Sequence, residues 1–465
     1  MKYEITPSRI IRIESDNNNI SPTFCLAKWK QVSINLSAGL THSCYHPPEH
    51  RIPLDELKTD VTALHNTSFK KQERQQMLSG TRPSGCAYCW NIEDSPNGHQ
   101  SDRTYRSIEL SSIEPTAYQE VLSNPADYSV IPSTVEVNFS GVCNFKCSYC
   151  SPHLSTEWKK EIEKFGPYPT STPHNSLDYF NQVGLMPIPN REYNPYLEAF
   201  WSWWPNLYNK LLSFRMTGGE PLMDVNTYKV LDYIIEHPKK DLELAVTTNL
   251  CVDEKLINKF YASLDRVNET DSLGAVTVYV SCDAFGDRAE YIRNGLKFDY
   301  FSKNVRTFLD KFSKAKIEHT MTFIVTLNCM SITSLRDLFS MILTLRKEYN
   351  IDHVHLDSPI LLTPVWQSIQ ILPARYREIL RSDIEFLSTE FKDQITDFEI
   401  EKLKRALSWM EQGNKLSKEK LKQDRADFYS FFKEHDRRRD TDFIKVFPEM
   451  KEFWKDCRDA FWYDK

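Results

Sequence analysis

The sequence predicts an α/β protein built on a partial (β/α)6 barrel, with a small cysteine-bearing domain before it and a helical C-terminal extension after it. Three observations predict this. From residue 134 onward, short runs of apolar and β-branched residues take turns with stretches of helical periodicity, the pattern of βαβ units and a parallel sheet. Six such strands can be drawn, too few for a closed eight-fold barrel. Seven of the eleven cysteines fall before residue 151, while beyond residue 370 the pattern is helical and heavily charged.

Taken in order, residues 1–115 hold the first cysteine group among short apolar stretches and many turn formers. Residues 116–133 follow as a linker, the end of a segment (111–133) that carries three prolines. The barrel spans 134–375. Its strands are read at "TVEVNFS" (134–140), "LSFRMTG" (212–218), "LELAVTTNL" (242–250), "AVTVYVSCD" (275–283), "HTMTFIVTL" (319–327) and "DHVHLDSPI" (352–360). Helical stretches between them include "DVNTYKVLDYIIEH" and "SITSLRDLFSMILTLRKEY". An insertion at 151–210, dense in aromatics and proline, separates the first two strands; its "WSWW" either shapes the barrel mouth or forms a packed helix. Residues 376–465 form the helical region, whose "RRR" run reads as a solvated face.

Composition narrows the class. Charged residues make up 26% and hydrophobic ones 40% of 465 residues, as in a soluble globular chain. A net charge of −6 gives no basic field for nucleic acid. No apolar run reaches the length of a membrane span, and the opening MKYEITPSRI lacks a signal peptide's apolar core. The expected location is cytoplasmic. A reducing cytosol argues against a disulfide framework, so the two cysteine clusters suggest metal ligation.

The sharpest signal is "CNFKCSYC" (143–150), which puts Cys143, Cys147 and Cys150 at C-x3-C-x2-C spacing on a loop after the first barrel strand. Soft thiolates select zinc, copper(I) or iron–sulfur clusters. A structural zinc site asks for four ligands; a cubane held by three thiolates leaves one iron open for something else. The stretch, including Tyr149 before the third cysteine, resembles the signature of the radical S-adenosylmethionine superfamily, whose barrel is an incomplete TIM-like one. The resemblance implies a catalytic [4Fe-4S] cluster on these cysteines. Its open iron chelates the amino and carboxylate groups of S-adenosyl-L-methionine. Reductive cleavage then gives a 5′-deoxyadenosyl radical that abstracts hydrogen from the substrate. It also implies an electron donor such as a flavodoxin or ferredoxin.

Further segments fit the same family. "MTGGEPLMD" (216–224) follows the second strand, and its glycines allow a close backbone approach. It is similar to the family's GGEP motif, which assigns Gly218, Gly219, Glu220 and Pro221 to the methionine amino group. In "VSCDAFGDRAEYIRNG" (280–295), alternation puts Ser281 and Asp283 on one face and Cys282 on the other. This looks like the family's ribose-binding segment, with Arg293 set to meet the methionine carboxylate. Thr248 and Asn249 close the third strand as further polar contacts. "LDSPILL" (356–362), with Pro359, resembles the segment beside adenine. Cys282, Cys329 and Cys457 read as core or structural. Cys251, near a strand's end, is a conceivable hydrogen donor to a substrate radical.

Cys25, Cys44, Cys86 and Cys89 form the first group. By spacing alone, four thiols close a zinc site or hold a cubane, with zinc favoured. The order of a cysteine, a hairpin with glycine (Gly39), a second cysteine, a helix and a C-x2-C pair resembles the auxiliary-cluster module called Twitch, the short form of SPASM. The resemblance implies a second, auxiliary [4Fe-4S] cluster. It departs from the family's order, because here the module precedes the barrel. His42, His46 and His50, around Cys44, are either solvent-exposed or replacement ligands.

The expected activity is therefore radical chemistry on a peptide or small-molecule substrate. Modification of a peptide or protein, by oxidation, epimerisation or cross-linking, comes first. Dehydrogenation or rearrangement of a sugar, aminocyclitol or nucleotide comes second. No precursor-peptide-recognition domain is evident, which counts against the first. A non-catalytic two-cluster electron carrier, a redox sensor or a zinc-binding interaction protein would leave the GGEP and ribose-like segments unexplained.

Overall fold

A computed structural model describes residues 6–94, 100–125 and 127–462. The opening residues 1–5, which belong to the stretch read for a leader, and residue 126 of the linker lie outside them. The strands are β1 (Gln31–Asn35), β2 (Leu40–His42), β3 (His50–Arg51), β4 (Thr134–Asn138), β5 (Lys146–Cys147), β6 (Ser213–Thr217), β7 (Lys239–Thr248), β8 (Leu273–Ser281), β9 (Arg293–Asn294), β10 (Glu318–Ile324) and β11 (Val354–Asp357). The six strands drawn from the sequence are β4, β6, β7, β8, β10 and β11. The chain is a mixed α/β protein with a large, mostly parallel sheet and many helices.

The chain divides into two compact units, otherwise than at the linear boundaries 1–115, 116–133, 134–375 and 376–465. One unit comprises 1–140, 187–218 and 241–245; the other comprises 141–186, 219–240 and 246–465. The cause is strand pairing. β1 lies parallel to β4, from Gln31↔Thr134 to Asn35↔Asn138, which ties the N-terminal segment to the first of the six predicted strands. The linker is partly helical, at Ala117–Leu122.

The first unit carries strands in the order β3-β2-β1-β4-β6, with residues 241–245 of β7. β1 and β2 form a hairpin whose turn contains Gly39 at φ +68. A Cβ there would lie 2.1 Å from the Tyr196 ring, so only glycine fits. Alternation along β4 and β6 buries Val135, Val137, Phe214 and Met216, and brings Glu136 and Arg215 together as a cross-strand ion pair of 3.4 Å. "WSWW" settles as a packed helix, Pro195–Lys210: Trp203 and Trp204 are buried, and Trp204 meets Phe200 and Phe214. Phe24, Leu26, Trp29, Met77 and Trp90 centre a separate core against which Cys25, Cys44 and Cys86 pack.

The second unit carries the end of β7 and then β8-β10-β11, with β8, β10 and β11 parallel. Val276, Val278, Val280, Met321, Phe323, Val354 and Leu356 are buried, while Thr277 and Thr320 meet on the alternate face. Helices cover the apolar side with residues at three- and four-residue spacing. Phe298–Phe312 buries Phe301, Val305, Phe308 and Phe312 in this way. The C-terminal region is helical as predicted, through Arg375–Glu390, Asp397–Gln412, Lys418–Arg439 and Lys451–Trp462.

One reading is corrected. "RRR" is not a solvated face: the Arg437 side chain is 61% exposed, but those of Arg438 and Arg439 are 1% and 3% exposed. Both turn inward to Glu161, which also binds Lys146 at 2.7 Å. Buried charge is retained only where it finds a partner, and that partner lies 278 residues away in sequence.

Candidate active site

The loop after β4 is held at many points within the second unit. Cys147 sits in β5, paired antiparallel with β9 so that Cys147 faces Arg293. The Ser148 amide donates to the Ile292 carbonyl at 2.7 Å. Ser148 and Gln367 exchange two hydrogen bonds, hydroxyl to Oε1 at 2.8 Å and side-chain amide to the Ser148 carbonyl at 2.9 Å. The Trp158 indole donates to the Cys147 carbonyl at 2.9 Å, and the Ser155 hydroxyl to the Phe145 carbonyl at 2.7 Å. The loop's shape is therefore fixed before anything binds, as a site needs.

The three thiols of this loop feel one another. Burial pushes Cys143 up, and the charges of Cys147 and Cys150 push it further; burial pushes Cys150 up to about 12. The Phe145 amide donates to Cys143 Sγ at 3.4 Å, a bond that favours thiolate over thiol. Among the described residues, no three His, Cys, Asp or Glu side chains are gathered for one metal ion. Cys143, Cys147 and Cys150 offer three soft thiolate donors on one loop, the donor type that iron–sulfur clusters take. The donor set suits a cluster.

The Gly-Gly-Glu-Pro turn docks directly on the same loop. The Glu220 amide donates to the Val142 carbonyl at 2.7 Å. A Cβ on Gly219 would stand 2.3 Å from that carbonyl oxygen, so the second glycine is fixed by backbone approach. Gly218, in the first unit, has φ +118 and no room for a Cβ beside Asn138. Glu220 is buried and accepts from the Thr248 hydroxyl (2.6 Å), the Asn249 amide (2.7 Å) and the Leu222 amide (3.1 Å). Burial nevertheless pushes its carboxyl up to about 7. Three donors do not make up for lost solvation, which leaves a place for a cation. Pro221 opens a short 3-10 turn behind it. Asn249 continues the network: its side chain donates to Asn144 Oδ1 at 2.8 Å, and Asn144 donates to the Cys251 carbonyl at 3.0 Å. Cys251 is buried, its thiol turned to the Lys297 carbonyl at 3.7 Å.

The ribose-type residues are arranged differently from the simple alternation picture. Asp283 is fully buried and accepts from the Tyr149 hydroxyl (2.7 Å), Arg293 (3.1 Å) and the Thr326 amide (2.9 Å). Arg293 also donates to the Tyr149 hydroxyl oxygen. The structure thus pairs Asp283 and Arg293 with each other. Ser281 ends β8, half-buried on the alternate face from Cys282, and Pro359 is exposed, its carbonyl accepting from the Leu327 amide at 2.8 Å. Asn144, Trp158, Glu161 and Gln367 were not singled out, and Arg438 and Arg439 were read as solvated. Asn144 carried a signal, lying inside the cysteine motif; the others carry none a local reading can find.

In the first unit, Cys25, Cys44, Cys86 and Cys89 line one pocket together with Lys28, His46 and Arg103. Burial and then the other three cysteines push Cys25 up, and burial pushes Cys44 up to about 11. Four mutually repelling thiols around a void suit a cluster that takes them as thiolates. The histidines are not solvent-exposed. His46 bonds Asp102 and stacks on Tyr88, His50 bonds Thr67 at 2.9 Å, and burial followed by Lys70 lowers His42 to about 4.

No family model matches the chain. Among curated proteins it is similar to GTP 3′,8-cyclase from Campylobacter lari, at 25% identity over 142 residues. That segment covers 30% of this chain and 35% of the relative, so the chain spans about a third of the relative's length. Two structures of anSMEcpe with bound AdoMet align loosely. The native form has a TM-score of 0.33 and 16% identity over 55% of this chain and 59% of that one. The hexahistidine-tagged form has a TM-score of 0.34 and 17% identity over 56% and 60%. Overlaps this loose carry no argument.

Proposed function

We propose that this chain is a radical S-adenosylmethionine enzyme. The observation that carries the reading is the docking of the Gly-Gly-Glu-Pro turn on the three-cysteine loop, with a buried, under-solvated carboxyl at their junction. Cys143, Cys147 and Cys150 would hold a [4Fe-4S] cluster; with S-adenosylmethionine bound, that centre supplies a 5′-deoxyadenosyl radical. Glu220 accepts from the methionine amino group, oriented by Thr248, Asn249 and the Leu222 amide. Gly218, Gly219 and Pro221 shape the turn that presents it. Asp283, Tyr149 and Arg293 form a preorganised unit whose hydrogen bonds open toward the ribose and methionine carboxylate, with Ser281 beside them and Pro359 toward adenine. The six sequential strands form the partial barrel, its polar face inward. Cys25, Cys44, Cys86 and Cys89 hold an auxiliary cluster in a Twitch-like domain. A flavodoxin or ferredoxin supplies electrons, in the cytoplasm.

For substrate, the reading from sequence puts a peptide or protein residue first. A small metabolite is the second reading, and the similarity to a GTP cyclase favours a nucleotide among these. Anaerobic reconstitution followed by S-adenosylmethionine and dithionite tests the class: 5′-deoxyadenosine should accumulate, and Cys143→Ala should abolish it. Protein that binds iron yet releases none would leave only an electron carrier. Nucleoside triphosphates and peptide pools, added separately, distinguish the substrates by which one accelerates release.

A further inference from the structure

The ribbon that carries Cys147 and Arg293 is too short to hold itself. β5 and β9 pair only at Lys146↔Asn294 and Cys147↔Arg293, well short of an independently stable hairpin. Both strands are gripped from the last turn of the helix Lys418–Arg439, in the region outside the family resemblance. On the Cys147 side, the Trp158 indole donates to the Cys147 carbonyl at 2.9 Å, and the Arg439 guanidinium lies 5.1 Å from the centre of the Trp158 ring. Arg439 also pairs with Glu161 at 3.3 Å, and Glu161 with Lys146 of β5 at 2.7 Å. On the Arg293 side, the Tyr291 hydroxyl donates to Asp436 Oδ1 at 2.8 Å. The next residue, Ile292, takes the Ser148 amide on its carbonyl at 2.7 Å. Asp436 is itself set by the Thr441 hydroxyl (2.7 Å) and the Phe443 amide (2.8 Å). Trp158 and Tyr291 are buried and the Arg439 side chain is 3% exposed, so water competes little with these contacts.

Groups that orient a metal ligand from behind matter almost as much as the ligand, and losing one ordinarily costs about ten- to a hundredfold in metal affinity or activity. We propose that Asp436 and Arg439 are positioning residues of the candidate active site: through Tyr291 and Trp158 they hold Arg293 and Cys147 in register. This rests on the reading of Cys143, Cys147 and Cys150 as cluster ligands and of Arg293 as the contact of the methionine carboxylate. Both residues act through another side chain. The two arms of the grip do different work. The Trp158 arm fixes the backbone of a cluster ligand, and the Tyr291 arm fixes the strand that presents a cofactor contact. The C-terminal helix is thereby part of the active-site framework, the rigid support that a preorganised site needs.

The test uses the full chain, reconstituted anaerobically with iron and sulfide and assayed with dithionite for 5′-deoxyadenosine release. Tyr291→Phe removes one hydroxyl and keeps the ring among Phe432, Phe443 and Phe447. It should raise KM for S-adenosylmethionine by about tenfold and leave kcat within about twofold. Trp158→Phe removes the indole N–H. It should alter the electron paramagnetic resonance signal of the reduced cluster that responds to S-adenosylmethionine, and lower kcat by about tenfold. Arg439→Met should reproduce the altered signal and Arg439→Lys should restore the parent one, which a general packing defect would not allow. This pair decides if Trp158→Phe folds poorly. The parent KM in Tyr291→Phe, or the parent signal in Arg439→Met, overturns the proposal while leaving the class reading standing. Separately, parent protein that loads iron yet releases no 5′-deoxyadenosine would overturn the class reading and the proposal with it.

Discussion

Lowering the pH from 8 to 6 should weaken the binding of S-adenosylmethionine by about tenfold, through Glu220. Its carboxyl is raised from 4.5 to about 7 because burial outweighs the Asn249, Thr248 and Leu222 donors. At pH 8 it is about nine-tenths ionised and at pH 6 about one-tenth, so the ligand's amino group finds the carboxylate about ten times less often, a loss of about 1.4 kcal/mol. Below pH 6 affinity should fall about tenfold per unit, and above pH 8 it should level. Anaerobic calorimetry on cluster-loaded protein measures the profile, and Glu220→Gln should remove the pH dependence. A flat profile in the parent, or the same slope in the Gln variant, would refute the reasoning. The fold itself responds with the opposite sign. The folded carboxyl holds its proton more tightly than the unfolded one, so its contribution favours the fold below pH 4.5. That contribution is lost as the pH rises through about 7.

Gly219→Ala places a methyl 2.3 Å from the Val142 carbonyl oxygen, backbone against backbone. It should cost about 2–4 kcal/mol in overpacking and a lost hydrogen bond, read as a lower melting temperature and weaker iron retention at the catalytic loop. Glu161→Gln leaves Arg439 buried without its carboxylate, while Arg438 keeps Glu434 at 2.6 Å, and should destabilise by about 3–5 kcal/mol in denaturant titration; a cost below about 1 kcal/mol would mean that solvent reaches Arg439. Cys86→Ala should lower iron and sulfide content while 5′-deoxyadenosine still forms, whereas Cys143→Ala should abolish 5′-deoxyadenosine; equal loss in both would place the two cysteine groups in one functional centre.

The sequence by itself determined whatever has a local period or a local spacing. The six predicted strands are legible because alternation is written in neighbouring residues, and β4, β6 and β8 lie where "TVEVNFS", "LSFRMTG" and "AVTVYVSCD" place them. The cysteine loop and the Gly-Gly-Glu-Pro turn are legible for the same reason. Only the tertiary structure decided which distant groups meet. β1 joins the sheet beside β4 across a hundred residues, because an exposed strand edge accepts any complementary strand. "RRR" looked solvated because its nearest sequence neighbours are polar, yet Glu161 draws two of the three arginines inside. Asp283, Tyr149 and Arg293 share one proton-and-charge network that alternation along β8 could not disclose. Desolvated charge is stabilised by its partner, and the partner's identity is fixed by the folded chain rather than by the residues on either side.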